Sequence, residues 1–146
     1  MASTTSETDA LPKPSMGNVV HLLAFGFGKG DRLGVWSTNN IEWLLLQLAT
    51  ARIGVVLVNI NPAYRPRELA YALQRSEVEC VVTIPSFRTS DYVAMLAELV
   101  PELTSSKPGD FKNDELAFLE HVILYDPADP DKTQRPPPGF DTWPEL

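Results

Sequence analysis

Two loops and a few scattered side chains are the places where this 146-residue chain could do chemistry. Gly26-Phe27-Gly28-Lys29-Gly30 sets a lysine among glycines, the material of a phosphate-binding loop. Such a loop follows a strand and opens a helix, so that free helical N–H groups aim at the phosphate. Here residues 19–27 read as the end of a helix and 32–37 as a strand, so the order is reversed. The Walker spacing is also absent, and glycine at positive φ explains a plain turn. Thr104-Ser105-Ser106-Lys107-Pro108-Gly109 has the hydroxyls and lysine of a nucleotide loop. It lacks a glycine before the lysine and a helix-forming run after it, so a surface loop is the simpler reading. His21 and His121 have no third ligand near them in sequence and read as packing or surface residues. Cys80 leads an apolar strand and reads as a small inert core residue. Glu77/Glu79 and Asp129/Asp131 sit in turn-like polar segments and read as solvated surface, and there is no Gly-x-Ser-x-Gly elbow. No catalytic, cofactor-binding or metal-binding residue is assigned from the sequence.

The elements that would position such residues are clearer. After the first helix and its glycine turn comes the short apolar strand 32–37. Asn39 with Glu42 has the N-x-x-E spacing of a capping box. Ile41, Leu44, Leu45, Leu48, Ala49 and Ala51 then recur at helical spacing, and Trp43 and Leu46 make that helix apolar almost all round. It is expected to be buried on more than one side and to stop at Gly54. Leaving even ~400 Å² of it bare would forgo about 10 kcal/mol of burial at ~25 cal/mol per Å². A second strand is expected over 55–59, and a second helix opening at Pro66, which suits the first helical position. Leu69, Ala70 and Leu73 form the inner face of that helix and Arg67, Gln74 and Arg75 its outer face. Residues 80–84 are apolar without alternation, as in a strand covered on both faces. A third helix over about 90–100 has Asp91 in its first turn and closes at Pro101. A polar stretch, 104–115, leads to a fourth strand at 121–125. The fold class expected is therefore α/β, a parallel sheet in β-α-β-α-β-α-β order with long crossovers.

Three segments are expected: a disordered lead-in at 1–17, an α/β unit over 18–126, and 127–146. The last opens in a proline-rich linker and ends on the start of another element, a helix with Thr142 as cap and Pro144 and Glu145 in its first turn. Net charge is −7, and residues 101–146, with four bases and ten acids, carry −6 of it. There is no basic stripe, so nucleic acid is not an expected partner. A single cysteine excludes an intrachain disulfide and a cysteine-based metal cluster. No apolar run approaches the ~18 residues of a membrane span, and the polar N-terminal residues carry no secretory or mitochondrial pattern, so cytoplasm is the expected compartment.

Several ordered motifs add a resemblance. Lys29-Gly30-Asp31-Arg32-Leu33 is similar to the K-G-D-R-V strand of AMP-forming acyl-CoA synthetases. Asn39-Asn40-Ile41-Glu42-Trp43 resembles their P-N-x-x-E-W helix start, with Thr38 in place of the proline. Leu48-Ala49 through Gly54 resembles the L-A-x-x-x-x-G segment. Val58-Asn59-Ile60-Asn61-Pro62-Ala63-Tyr64-Arg65, then Glu68-Leu69-Ala70-Tyr71, is similar to the medium-chain fatty acyl-CoA synthetase branch. Phe87-Arg88-Thr89-Ser90-Asp91-Tyr92 and Pro137-Pro138-Gly139-Phe140 extend it over about residues 19–146. The resemblance implies carboxylate activation with ATP and Mg²⁺, an acyl-adenylate, and transfer to coenzyme A. It also implies that the phosphate loop ending in Pro-Lys, the adenine site and the mobile C-terminal domain lie outside this sequence. The matching residues here are scaffold, and the expected partner is the rest of the same enzyme. The alternative is a self-standing α/β interaction domain without catalysis.

Overall fold

The computed structural model describes residues 14–129 and 135–143. Helix α1 (Pro14–Ala24) leads through a turn into strand β1 (Arg32–Trp36), then helix α2 (Ile41–Ile53), strand β2 (Val56–Ile60), helix α3 (Pro66–Ser76) and strand β3 (Cys80–Thr83). A two-residue hairpin, β4 (Ser86–Phe87) and β5 (Ser90–Asp91), precedes helix α4 (Tyr92–Leu99). A 3₁₀ turn at Pro101–Thr104, strand β6 (His121–Leu124) and strand β7 (Asp141–Thr142) complete the order.

Five strands form one sheet in the order β2-β1-β3-β6-β7, with every pairing parallel. The chain enters in β1, steps one way to β2, then crosses back past β1 to β3 and continues outward. That reversal places the crossover helices on opposite faces: α1 packs on α2, and α3 packs on α4. β3 lies mid-sheet, and all four of its residues are buried. This is the reason Cys80-Val81-Val82-Thr83 shows no polar alternation. Strand β2 is an edge, and Val56 is half exposed.

The α/β class and the four main strands stand as the sequence implies, with β2 one residue later than expected. Gly54 ends α2 in the left-handed conformation at φ 76°. Pro66 takes the first turn of α3, with Leu69 and Leu73 buried.

Four local expectations are corrected. The cap of α2 is Asn40, not Asn39: its Oδ1 accepts from the Trp43 N–H at 2.9 Å. Glu42 thereby falls one place too early to close a capping box. Asp91 is the cap of α4 and not a residue of its first turn, accepting from the Ala94 N–H at 3.0 Å. Residues 86–91 form a hairpin, where no strand was expected. Thr142 lies in a fifth parallel strand and does not cap a helix. The rest of the helix start expected near the end, 144–146, lies outside the described residues, as does the lead-in up to residue 13. Helix α1 already includes Pro14–Gly17.

Asn40→Ala is expected to lower stability by about 1–2 kcal/mol through loss of the cap, while Asn39→Ala changes it by no more than about 0.5 kcal/mol. Chemical denaturation of the two variants separates the two caps. Equal losses would return the cap to Asn39.

Candidate functional site

In an open parallel sheet, ligands sit beyond the carboxyl ends of the strands where the strand order reverses. Here that point lies between β1 and β3. It is closed by the protein's own side chains. Trp36 and Tyr92, both fully buried, stack with ring centroids 3.6 Å apart and planes 8° apart. The Trp36 indole N–H donates to the Asn61 carbonyl at 3.1 Å, and the Tyr92 hydroxyl donates to the Pro62 carbonyl. Thr83 adds a third tie, its hydroxyl donating to the Trp36 carbonyl at 3.0 Å. Burial pushes the Tyr92 phenol up to about 12, so it stays a donor through the physiological range.

Beside this plug, between the carboxyl ends of β1 and β2, opens a cleft of about 520 Å³. Its walls include Ser37, Thr38, Asn39, Trp43, Asn59 and Asn61. The Trp43 indole N–H donates to Asn59 Oδ1 at 3.1 Å, tying the first turn of α2 to the end of β2. Asn61 Oδ1 accepts from the Ala63 N–H at 2.9 Å, which shapes the turn after β2.

Ser37 does not carry nucleophilic chemistry. It is nearly buried and shares a hydrogen bond of 2.7 Å with the Tyr125 hydroxyl. Asn40 Nδ2 donates to Ser37 Oγ at 3.0 Å, and the Tyr125 hydroxyl donates to Asn40 Oδ1 at 3.1 Å. None of these partners is a base that could take the Ser37 proton. Burial raises the Tyr125 phenol, against the opposing pull of its bonds to Ser37 and Asn40. Among the described residues, none that lines the cleft is ionisable. The cleft can therefore hydrogen-bond a neutral polar group, but it offers neither a cation to a triphosphate nor a carboxylate to Mg²⁺. Among the described residues, no three His, Cys, Asp or Glu side chains converge as a metal site. The described side chains lining this cleft do not fit the ATP–Mg²⁺ pair.

The residues weighed from the sequence lie elsewhere. Gly26 and Gly30 adopt φ of 90° and 94° in a turn at the amino ends of the strands, where the Gly28 N–H donates to Asp31 Oδ2 at 2.8 Å. Cys80 is fully buried, and its thiol is pushed well above the usual range, first by burial and then by Asp141 and Glu79. His21 Nδ1 is buried without a hydrogen-bond partner. His121, at the start of β6, meets Asp141 of β7 with Nδ1 and Oδ2 2.9 Å apart, and the Phe25 and Phe27 rings meet its imidazole edge-on. Sequence reasoning missed this pair, the Ser37–Asn40–Tyr125 network and the Trp36–Tyr92 stack. Only the strand order brings these residues together.

The His121 pKa is raised from the ordinary 6.5, chiefly by the hydrogen bond to Asp141, with burial pulling the other way. A raised folded-state value gives stability that is complete below pH 6.5 and lost as pH rises through the folded-state pKa. Stability is thus expected to fall as pH rises above 6.5, and Asp141→Asn is expected to flatten that fall. Urea titrations from pH 5.5 to 9 measure both, and an unchanged slope in Asp141→Asn would rule the pair out as its source.

A parallel sheet whose strand order reverses at β1, with helices on both faces, places the chain among the doubly wound α/β folds. Residues 20–142 match the family described as AMP-binding enzyme, and the chain belongs to that family. It is 42% identical over 109 residues to the mitochondrial medium-chain acyl-CoA ligase of Danio rerio, covering 75% of this chain and 18% of that protein. The Bos taurus ligase of the same name is 43% identical over 105 residues, covering 72% and 17%. The chain thus spans less than a fifth of the length of these relatives. Among solved structures, the acetoacetyl-CoA synthetase of Streptomyces lividans superposes with a TM-score of 0.69 at 23% identity, over 89% of this chain and 18% of that one. A long-chain-fatty-acid-CoA ligase of Archaeoglobus fulgidus gives 0.56 at 23%, over 77% and 19%. At that identity the superpositions establish the fold. No helix of the described residues is long and apolar enough to cross a membrane.

Proposed function

We propose that this chain is scaffold from the N-terminal part of a fatty acid–CoA ligase, inactive by itself. The full enzyme would activate a medium-chain fatty acid with ATP and Mg²⁺, form the acyl-adenylate, and pass the acyl group to coenzyme A. Family membership together with the names of the relatives supports the reaction class. The observation that carries the inactivity is the cleft itself, whose walls hold no ionisable side chain to neutralise pyrophosphate or move a proton. We assign no catalytic, cofactor or metal residue here. Residues 18–126 act as a partial α/β subdomain of the AMP-binding domain, with 127–146 as the connection to the remainder of that domain. The partner is the rest of the same enzyme.

The test is ATP–pyrophosphate exchange by the purified 146-residue chain with octanoate and a panel of other acids. No exchange above a no-protein blank is expected, and measurable turnover would overturn the proposal. The proposed compartment is the cytoplasm. The vertebrate relatives are named mitochondrial, and fractionation of cells expressing the full-length protein distinguishes the two.

A further inference from the structure

Strand β7 is the least secured of the five. Only Ile123–Asp141 and Leu124–Thr142 pair it to β6, against four or five residue pairs at each other seam. On its flanks, the Gly139 N–H donates to the Leu103 carbonyl at 2.9 Å and the Trp143 N–H to the Leu124 carbonyl at 3.1 Å. Phe140 and Trp143 are buried in the docked position. The Trp143 indole N–H is buried there without a hydrogen-bond partner, which works against docking. One titratable tie crosses the seam. Asp141 stands opposite Ile123, and residues two apart along a strand share a face, so its carboxylate reaches His121. Nδ1 and Oδ2 are 2.9 Å apart, with both side chains less than a quarter exposed. Among the described residues this is the one side-chain hydrogen bond joining the two strands. From the turn after α1, Phe25 and Phe27 present uncharged rings to the imidazole. From the loop before β6, Gly109 comes so close that a Cβ there would lie 3.0 Å from Cε1. On β3 the paired residue is Cys80, its thiol kept neutral by burial and by Asp141 and Glu79. The Glu79 carboxylate is itself engaged, accepting from the Arg32 N–H at 3.1 Å. The charges acting on His121, Asp141 and the adjacent Glu120, are both negative and favour the imidazolium.

We propose that His121 and Asp141 form a proton-operated latch: the imidazolium holds residues 139–143 on the sheet, and loss of its proton lets that segment open while β2-β1-β3-β6 stays folded. The neutral imidazole can still donate from Nδ1, so the tie weakens without vanishing. Charge-assisted hydrogen bonds are roughly twice as strong as neutral ones. The docked segment holds the His121 proton more tightly than the open one does. The latch is therefore complete below pH 6.5, loosens as pH rises through the docked-state pKa, and levels off above it. Opening uncovers the β6 edge and one flank of Tyr125, whose ring centroid lies 6.1 Å from that of Trp143. The Tyr125 hydroxyl serves Ser37 and Asn40 beside the cleft, so the segment sits one residue away from the network at the carboxyl edge. The latch does not depend on the proposed function.

Amide exchange of the ¹⁵N-labelled 146-residue chain between pH 5.5 and 9 tests this, read as protection factors so that the intrinsic pH dependence of exchange cancels. Trp143 is expected to be at least about tenfold less protected than Val82 throughout, and to lose about fivefold more as pH rises. Low urea should reduce protection at Val82 and leave Trp143 nearly unchanged, the mark of a local opening. Asp141→Asn and His121→Gln are each expected to keep the Trp143 value constant within about twofold over the same range. NMR titration of the two imidazoles supplies a check that needs no variant: the wild-type fall should level off above the His121 midpoint and not follow that of His21. Trp143 sharing the protection and urea dependence of Val82 would mean that the segment opens only with the whole fold, and would overturn the latch. A flat wild-type profile, a fall that tracks His21, or a fall that survives in Asp141→Asn would overturn it as well. Should a variant fail to fold, the wild-type profile set against the His121 titration still decides.

Discussion

Trp36→Ala is expected to remove about 3–5 kcal/mol of stability, the range for deleting a large buried aromatic side chain. Trp36 ends β1, is fully buried, and lies flat on Tyr92. Its indole N–H also holds the Asn61 carbonyl, so the substitution opens a cavity and frees the turn after β2 together. Trp36→Phe keeps much of the stack and loses the hydrogen bond, and its expected cost is about 1–2 kcal/mol. Equilibrium urea denaturation followed by far-ultraviolet circular dichroism gives both numbers. A loss below about 1 kcal/mol for Trp36→Ala would mean that the plug does not hold the carboxyl edge of the sheet.

The second large effect is expected at Gly139. A Cβ there would stand 2.5 Å from the Leu103 carbonyl oxygen and 2.7 Å from the Leu103 Cα. Both are backbone atoms, so no rotamer change relieves the contact. The Gly139 N–H also donates to that same carbonyl at 2.9 Å, and it is this approach that brings β7 alongside β6. Gly139→Ala is expected to cost about 2–3 kcal/mol, by analogy with overpacked cores. It should also release Phe140 and Trp143, which are buried against the core. Amide exchange reads the release directly, because the Trp143 N–H donates to the Leu124 carbonyl at 3.1 Å. Faster exchange at Trp143 with little change at Val82 is the expected pattern. Gly28→Ala, where a Cβ would meet nothing within 4 Å, serves as the matched control. Wild-type protection at Trp143 in Gly139→Ala would refute the contact.

Helix α2 shows how far pattern reading extends. Its composition implied burial on more than one side, and it buries one side within this chain. Ile41, Leu44 and Leu48 stay exposed on its other side, so burial on more than one side is not met among the described residues. The capping error at its start has a narrower cause. Two asparagines stand in succession, and local spacing favoured Asn39 because of Glu42. The choice is made by Tyr125, 85 residues away, whose hydroxyl binds Asn40 and Ser37. Strands β4, β5 and β7 were illegible for another reason: each is two residues long, too short for any period to register.

The sequence by itself determined the alternation of the main strands and helices, the end of α2, the start of α3, and the family. Those rest on local facts: runs of β-branched residues, Gly54, Pro66, and motifs kept in order along one strand of text. Tertiary structure alone decided the strand order β2-β1-β3-β6-β7, and with it every contact at the candidate site. Trp36 meets Tyr92, and Ser37 meets Tyr125, because the chain reverses direction after β2 and sets β3 beside β1 on the side away from β2. Nothing within a helix or a strand encodes which neighbour it will choose. That choice is made when the apolar faces of all the elements are buried at once, and it is the reason the Trp36–Tyr92 stack fills the point where the fold alone would have placed a site, with the cleft opening beside it.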